Sequence, residues 1–359
     1  MTTSTDFIVE KTNLSNARFV ETELPELGEG QVLLAIEKFA VTANNITYAV
    51  IGDQFGYWNF FPAEEGWGRV PVWGYARVET SNHVDIEAGE RLYGYLPMSS
   101  HLIVEPGNIA PGQFSDMAAH RQPMSPIYNN YRRLGADASH SAEFEDHRPI
   151  FEPLFTTSFL IEVFLRKENF FGAQSALLTS ASSKTGMGLA ECLKARSPDI
   201  ERIGLTGSGN VAFVEGLGLY DKVIGYDGVD GLDASVPSVV VDFAGNAKAL
   251  DAIHNHFADS LKYSCLVGAT HWDARGLEPD IAGPAPVLFF APDHAIALQK
   301  ELGPEGFARE LGESWRRFIG QAKDWIDVVR REGKADTEKT YQDMLSGEAS
   351  PKDGFIVSL

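Results

Sequence analysis

Over the first hundred residues, apolar and β-branched positions come in short runs broken by turn residues, which predicts strands. Residues 31–40 form one such run, opened by Gly28-Glu29-Gly30, and residues 70–79 another, interrupted by Gly74. Residues 90–95 and 101–105 continue the pattern, so the chain opens as a β-rich region. Residues 106–148 are rich in Pro, Gly, Ser, Asn, His and Arg without a clean period, which predicts a long loop with one helix near 117–122. A stretch of that length without structure is uncommon and often functional. From residue 159 short apolar runs alternate with helical segments, the sign of βαβ units on a parallel sheet. Strands are predicted at 176–179, 203–206, 222–226, 238–242 and 264–268, and helices at 188–195, 211–216 and 247–257. Trp315, Phe318, Trp325 and Val329 fall at helical spacings, predicting a long helix over 307–331, and residues 354–359 read as a last strand.

Composition narrows the function. With 359 residues, 44% hydrophobic and 22% charged, the chain buries a large core and is expected to form two domains. Fifty acids against 30 Lys and Arg give a net charge of −20, which repels a phosphate backbone, and no basic stripe offsets it. Nucleic acid is therefore not an expected partner. Apolar runs such as residues 287–291 fall far short of the roughly 20 residues of a membrane-spanning helix, so no membrane is expected either. Residues 1–10 are polar and acidic and do not read as a secretory signal, which makes the expected location cytoplasmic. Cys192 and Cys265 lie far apart without ligand spacing and read as buried thiols.

The chemistry-bearing stretch is Ser180-Ala181-Ser182-Ser183-Lys184-Thr185-Gly186-Met187-Gly188, between a predicted strand and a predicted helix. Small residues there let backbone N–H groups and a helix N-terminus meet a pyrophosphate. A tight strand-to-helix connection has the same need for small residues, so the turn alone leaves both readings open. Its place after a β-rich region, in a chain that returns to a strand at residues 354–359, favours the nucleotide.

On these residues the chain resembles the medium-chain dehydrogenase/reductase superfamily, in its zinc-free quinone reductase and enoyl reductase branches, as a divergent member. Gly28-Glu29-Gly30-Gln31-Val32-Leu33-Leu34 followed by Val41-Thr42-Ala43-Asn44-Asn45-Ile46-Thr47 is similar to the opening strand and Asn-Pro-Ser-Asp stretch of those reductases. Glu87-Ala88-Gly89-Glu90-Arg91-Leu92-Tyr93-Gly94 is similar to a further strand, and Phe151-Glu152-Pro153-Leu154-Phe155-Thr156-Thr157 to a helix start. Val239-Val240-Val241-Asp242-Phe243-Ala244-Gly245 and Cys265-Leu266-Val267-Gly268-Ala269 are similar to later strands of the cofactor domain.

The resemblance implies an α/β protein: a GroES-like β-rich catalytic domain, split over residues 1–155 and 300–359 with an irregular insertion at 106–148, and a Rossmann-type doubly wound parallel-sheet domain over 156–299. The family's A-x-x-G-x-x-G turn falls on Ser180, Ser183 and Gly186, so only its last glycine is kept, and Ser183 and Lys184 replace residues that are normally glycine. Ser180, Ser182, Ser183, Lys184, Thr185 and Gly186 are the implied phosphate site, since hydroxyls and an ammonium suit phosphate.

An NAD site usually ends its second strand with an acid for the ribose 2′-hydroxyl. Here Gly207-Ser208-Gly209-Asn210 follows that strand with no acid, so NADP(H) is the expected cofactor. Ser208, Asn210, Lys184 and Tyr226 are candidates for the 2′-phosphate, as serine, lysine and tyrosine are in the quinone reductases; a plain β-to-α turn with an N-cap explains the same residues. Thr157 is implied to touch the nicotinamide ring, and the main chain at Ala244, Gly245, Gly268, Ala269 and Thr270 to line the cofactor cleft.

Zinc-dependent relatives need a Cys and a Gly-His-Glu where this chain has Thr42-Ala43 and Trp73-Gly74-Tyr75, so no metal is expected. His83, His101, His120, His140 and His147 lie at irregular spacings and read as loop or surface histidines. Without a metal, hydride transfer must be matched by proton delivery from a side chain or water. Tyr48, Tyr57 and Tyr75 are the candidates, with Asn44 and Thr47 orienting the nicotinamide ribose or the substrate by the same resemblance. Phe55, Trp58, Phe60, Phe61, Trp67 and Trp73 are expected to make an apolar pocket mouth for a bulky or planar acceptor, although such aromatics more often pack cores.

The expected function is NADPH-dependent, zinc-independent reduction of an activated C=C bond or a quinone-like small molecule. The alternatives are a non-catalytic or weakly nucleotide-binding relative and a metal-free ketone or aldehyde reductase. A homodimer is implied, formed through the late strand near 285–291.

Overall fold

The computed structural model describes residues 2–243, 245–267 and 281–359. The chain forms two compact units, Met1–Ile150 with Ile326–Leu359, and Phe151–Trp325.

In the first unit a nine-stranded sheet runs in the order Asp327–Glu332, Asp353–Ser358, Val32–Val41, Pro71–Ser81, Arg91–Pro97, Asn130–Arg133, Gln113–Asp116, Pro106–Ala110, with His101–Val104 also paired to Val32–Val41. The last strand of the chain joins the sheet against its early part: Phe355, Ile356 and Val357 lie opposite Val41, Ala40 and Phe39. The reason is apolar burial, since Phe355, Ile356 and Val357 are all buried, Val357 in one core with Phe7, Leu34, Phe39, Val72 and Leu92. A smaller sheet of Asn13–Glu23, Thr3–Glu10 and Trp67–Gly68 completes the unit.

Three sequence expectations change here. Residues 106–148 are not a structureless loop: Pro106–Ala110, Gln113–Asp116 and Asn130–Arg133 extend the large sheet, and the helix expected near 117–122 is a single 3-10 turn, Ala119–Arg121. Within it Phe114 and Tyr131 stack at 5.5 Å. Arg121 is 1% exposed and ties the segment together, donating to Asp116 at 2.9 Å, the Tyr131 hydroxyl at 2.9 Å, Asn129 at 3.0 Å and the Tyr128 carbonyl at 2.6 Å. Short strands rich in Gly, Asn and Arg carry no period that reveals them.

The long helix is displaced. It spans Ala291–Ala322, interrupted at Gly303 (φ +73°), and residues 327–332 are a strand instead. Val328 and Val329 pair there with Gly354 and Phe355, and β-branched neighbours favour that pleated arrangement. The helix lies wholly within the second unit, so the chain returns to the first unit at 326 rather than 300, and the earlier boundary falls at 150/151, inside the helix His147–Lys167. An unexpected helix, Ala43–Val50, starts where Asn45 Oδ1 accepts the Thr42 N–H at 2.6 Å.

The second unit is built on a six-stranded parallel sheet ordered Lys222–Gly225, Glu201–Thr206, Ser175–Leu178, Ser238–Asp242, Leu261–Leu266, Val287–Leu288. Counted along the chain that order is third, second, first, fourth, fifth, sixth. Unbroken apolar runs such as Val239-Val240-Val241 suit strands covered on both faces, and all three are 0% exposed. The helices Lys184–Arg196, Val211–Gly216 and Ala247–Phe257 follow the first, second and fourth strands. The order reverses between the first and fourth strands, where a doubly wound sheet opens a crevice at its carboxyl edge.

Candidate functional site

At the carboxyl end of the first strand, residues 180–183 turn the chain into the helix Lys184–Arg196. Ser180 takes φ +45°, a left-handed conformation, and its N–H donates to the Tyr226 hydroxyl at 2.8 Å. Ser183 is the N-cap: its hydroxyl accepts the Gly186 N–H at 3.0 Å, and its own N–H donates to the Ser180 carbonyl at 2.7 Å. A Cβ at Gly186 would lie 2.9 Å from the Ser180 carbonyl oxygen and 3.1 Å from Ser183 Oγ, so glycine is what lets the helix start this close to the turn. Two residues on, a Cβ at Gly188 would meet Ser158 Oγ at 2.7 Å, and that hydroxyl donates to the Thr185 carbonyl at 2.7 Å. The helix start is thus locked to the turn behind it and to the helix His147–Lys167 beside it.

The expected phosphate residues divide. Lys184 and Thr185 are half-buried in the first helical turn. Ser182 is buried with its hydroxyl accepting from Thr206 at 3.3 Å, and the Ser183 hydroxyl is spent on the cap. Both are therefore supports of the turn rather than open phosphate donors. Ser208 is exposed and Asn210 half-buried in the 3-10 turn Ser208–Asn210 after the second strand. The Tyr226 phenol is engaged by the Ser180 amide. Thr157 is half-buried and donates to the Pro153 carbonyl at 3.3 Å. The Gly245 N–H, expected to face a cofactor, donates to Asp242 Oδ2 at 3.1 Å. Ala244, Gly268, Ala269 and Thr270 lie outside the described residues.

Sequence reading missed a buried pair here. Thr179 and Asp242, 0% and 1% exposed, stand at the ends of the first and fourth strands, and the Thr179 hydroxyl donates to Asp242 Oδ1 while accepting the Phe243 N–H at 2.9 Å. An acid ending an apolar run is the signal that was available.

In the first unit Tyr48, Tyr57, Phe60, Phe61, Tyr95 and Tyr128 form one buried cluster, flanked by Phe55 and Trp73. The helix Ala43–Val50 carries Tyr48, and the 3-10 turn Tyr57–Asn59 carries Tyr57. The Tyr57 and Tyr128 hydroxyls are 3.1 Å apart, Trp73 Nε1 donates to the Tyr48 hydroxyl at 3.4 Å, and Asn44 also hydrogen-bonds that hydroxyl. Burial pushes the phenols of Tyr48, Tyr57, Tyr95 and Tyr128 up, so at neutral pH all four keep their protons. Thr47 donates weakly to the Ala43 carbonyl at 3.4 Å.

Tyr75 does not join this group. Its hydroxyl donates to the Glu145 carbonyl at 2.9 Å, its side chain is 0% exposed, and its ring lies 5.5 Å from Lys38 Nζ and 5.6 Å from the Arg91 guanidinium. It packs in a separate cluster with Tyr93 and Leu134, a structural setting rather than a catalytic one. Nor do the six aromatics expected at a pocket mouth gather: Trp58 is wedged between Gly52 and Gly68 in the main core, and Trp67 stacks on Arg18 at 4.4 Å. Tyr95 and Tyr128, which sequence reading passed over, take their place. Among the described residues no three His, Cys, Asp or Glu side chains are grouped to hold a metal, and no helix is long and apolar enough to cross a membrane.

Several solved structures share this fold along nearly their whole length. CurA from Vibrio vulnificus in complex with NADPH matches with a TM-score of 0.59 and 14% identity over 99% of this chain and 98% of that one. A probable oxidoreductase from Mycobacterium abscessus matches at 0.57 and 12%, over 100% and 99%. The Etr1p/NADP/crotonyl-CoA complex matches at 0.58 and 11%, over 100% of both chains. At these identities the likeness is one of fold, that of the medium-chain dehydrogenases/reductases. No curated protein matches the chain. A family model described as "Protein of unknown function (DUF2855)" matches residues 39–350, and the chain belongs to that family.

Proposed function

We propose that the protein is an NADPH-dependent reductase that works without zinc on an activated C=C bond or a quinone-like small molecule. The observation that carries this is the capped strand–turn–helix at residues 179–196, followed by a second strand that ends without an acid, with Ser208 exposed and Asn210 half-buried. That arrangement fits a phosphorylated dinucleotide: residues 180–183 are small, Gly186 admits close approach, Lys184 brings a cation to the first helical turn, and residues 207–210 after the second strand carry no acid. Bound there, the nicotinamide would supply a hydride. The second unit's part is to hold the dinucleotide by the helix start; in the first unit Tyr48 and Tyr57 keep their protons and are the candidates that the family resemblance gives for proton delivery. CurA was solved with NADPH and Etr1p with NADP and crotonyl-CoA, which supports the cofactor and the acceptor class by analogy of fold.

Thermal unfolding with each nucleotide tests the reading. At 100 times its dissociation constant NADPH is expected to add about 2.7 kcal/mol to stability, and NADH at the same concentration clearly less. No stabilisation by either nucleotide at millimolar concentration overturns the reductase reading; equal stabilisation overturns the 2′-phosphate preference alone. Oxidation of NADPH on adding enones or quinones then separates an enzyme from a non-catalytic nucleotide binder, and a panel of ketones and aldehydes tests the remaining chemistry.

We also propose that the protein is a homodimer. The strand Val287–Leu288 is the edge of the parallel sheet, and Val287 is 46% exposed beside it. Pro284 and Pro286 limit the ladder donors on the approach, so the pairing is expected to be short. Light scattering should return twice the chain mass, and a single-chain mass across micromolar concentrations counts against it.

A further inference from the structure

The switch point of the second unit's sheet is closed by side chains as well as by the ladder. The first and fourth strands lie side by side, Ser175 opposite Ser238 through Leu178 opposite Val241. At the amino end the hydroxyls of Ser175 and Ser238 meet at 2.7 Å. At the carboxyl end, where a dinucleotide crevice opens, the strands are joined by Thr179 and Asp242.

This second junction does more than tie two strands. The Thr179 hydroxyl gives its proton to Asp242 Oδ1 and accepts the Phe243 N–H at 2.9 Å. Asp242 Oδ2 accepts the Gly245 N–H at 3.1 Å, and Gly245 sits at φ +62°. One residue later Asn246 caps the helix Ala247–Phe257, its side chain accepting the Ala249 N–H at 3.2 Å. A carboxylate 1% exposed is costly unless its oxygens are satisfied, so the bonds of the pair to the Phe243 and Gly245 amides fix those two backbone positions.

We propose that Thr179 and Asp242 are positioning residues for the nicotinamide dinucleotide: a hydroxyl–carboxylate clasp that sets the loop after the fourth strand and thereby the affinity of the crevice floor. The inference rests on the nucleotide reading given above. Both side chains are buried, so their effect passes through the Phe243 and Gly245 amides that they hold.

Three variants of the full chain test it, with NADPH binding followed by titration and unfolding followed separately. Thr179→Val keeps the side-chain shape but removes both the donor to Asp242 and the acceptor for the Phe243 amide. It is expected to raise the NADPH dissociation constant at least about tenfold, with faster hydrogen exchange at the Phe243 and Gly245 amides. Thr179→Ser restores the hydroxyl and should bind as the wild type does, which a general packing role for the threonine methyl would not allow. If Thr179→Val does not fold, Asp242→Asn carries the same expected loss, because its single amide oxygen cannot accept from both the Thr179 hydroxyl and the Gly245 N–H. Wild-type affinity in a folded Thr179→Val or Asp242→Asn chain overturns the clasp and leaves the nucleotide reading standing; a wild-type chain that does not bind NADPH overturns both.

Discussion

Replacing Arg121 by methionine will lower the stability of the first unit by about 3–5 kcal/mol, the range seen when one partner of a buried ion pair is removed. The guanidinium is 1% exposed, and Asp116, its partner at 2.9 Å, is equally buried. Methionine leaves that carboxylate without its cation in an apolar surrounding, and it strands the Tyr128 carbonyl and Asn129, which Arg121 now satisfies. The guanidinium also lies 5.1 Å from the Phe61 ring and 5.5 Å from the Phe60 ring, both in the tyrosine cluster. For a unit of this size the loss corresponds to a fall in Tm on the order of 10 °C. Urea unfolding is the direct check, and a change below about 1 kcal/mol would show that Asp116 is adequately held by the Glu105 and Ala118 amides alone.

The second large effect is expected at Gly186. Alanine is the better helix former by about 1 kcal/mol, so in an open helix the exchange stabilises. Gly312, in the helix Ala291–Ala322 with nothing within 4 Å of its Cβ position, is such a site, and Gly312→Ala should gain about 0.5–1 kcal/mol. At Gly186 the same carbon would stand 2.9 Å from the Ser180 carbonyl, so the turn has to open to admit it. Valine, with two further methyls, opens it more. Gly186→Val is expected to weaken NADPH binding about tenfold or more, since overpacking strain of about 1–3 kcal/mol falls on the turn and about 1.4 kcal/mol is tenfold in affinity, while far-UV circular dichroism stays that of the wild type. Undiminished affinity in a folded Gly186→Val chain would place the dinucleotide elsewhere.

How much of this was legible depends on the range over which each feature is determined. The parallel sheet could be read because its strands are covered on both faces: Val239-Val240-Val241 has no polar member, and the helix Ala247–Phe257 follows with its own period. The turn at 180–188 could be read because small residues there have a local steric cause. The stretch 307–331 misled because Trp325 and Val329 continue a helical period on paper, whereas Val329 is claimed as a strand residue by Phe355, near the other end of that chain segment. Tyr75 misled for a related reason. A tyrosine in that strand looks available in the sequence, whereas in the fold its hydroxyl donates to the Glu145 carbonyl.

By itself the amino-acid sequence determined the class of the fold, the position of the strand-to-helix turn proposed to meet a nucleotide, and the absence of an acid after the second strand. These depend on period, residue size and charge within about ten neighbours. Only the tertiary structure decided which hydroxyls remain at the surface and which are spent inside: Ser183 on a cap, Tyr226 on a turn amide, Thr179 on Asp242, and Tyr57 and Tyr128 on each other. Thr179 and Asp242 are 63 positions apart, and Tyr57 and Tyr128 are 71. A hydrogen bond acts over about 3 Å, so its partner is set by where the folded chain returns rather than by what stands next in line.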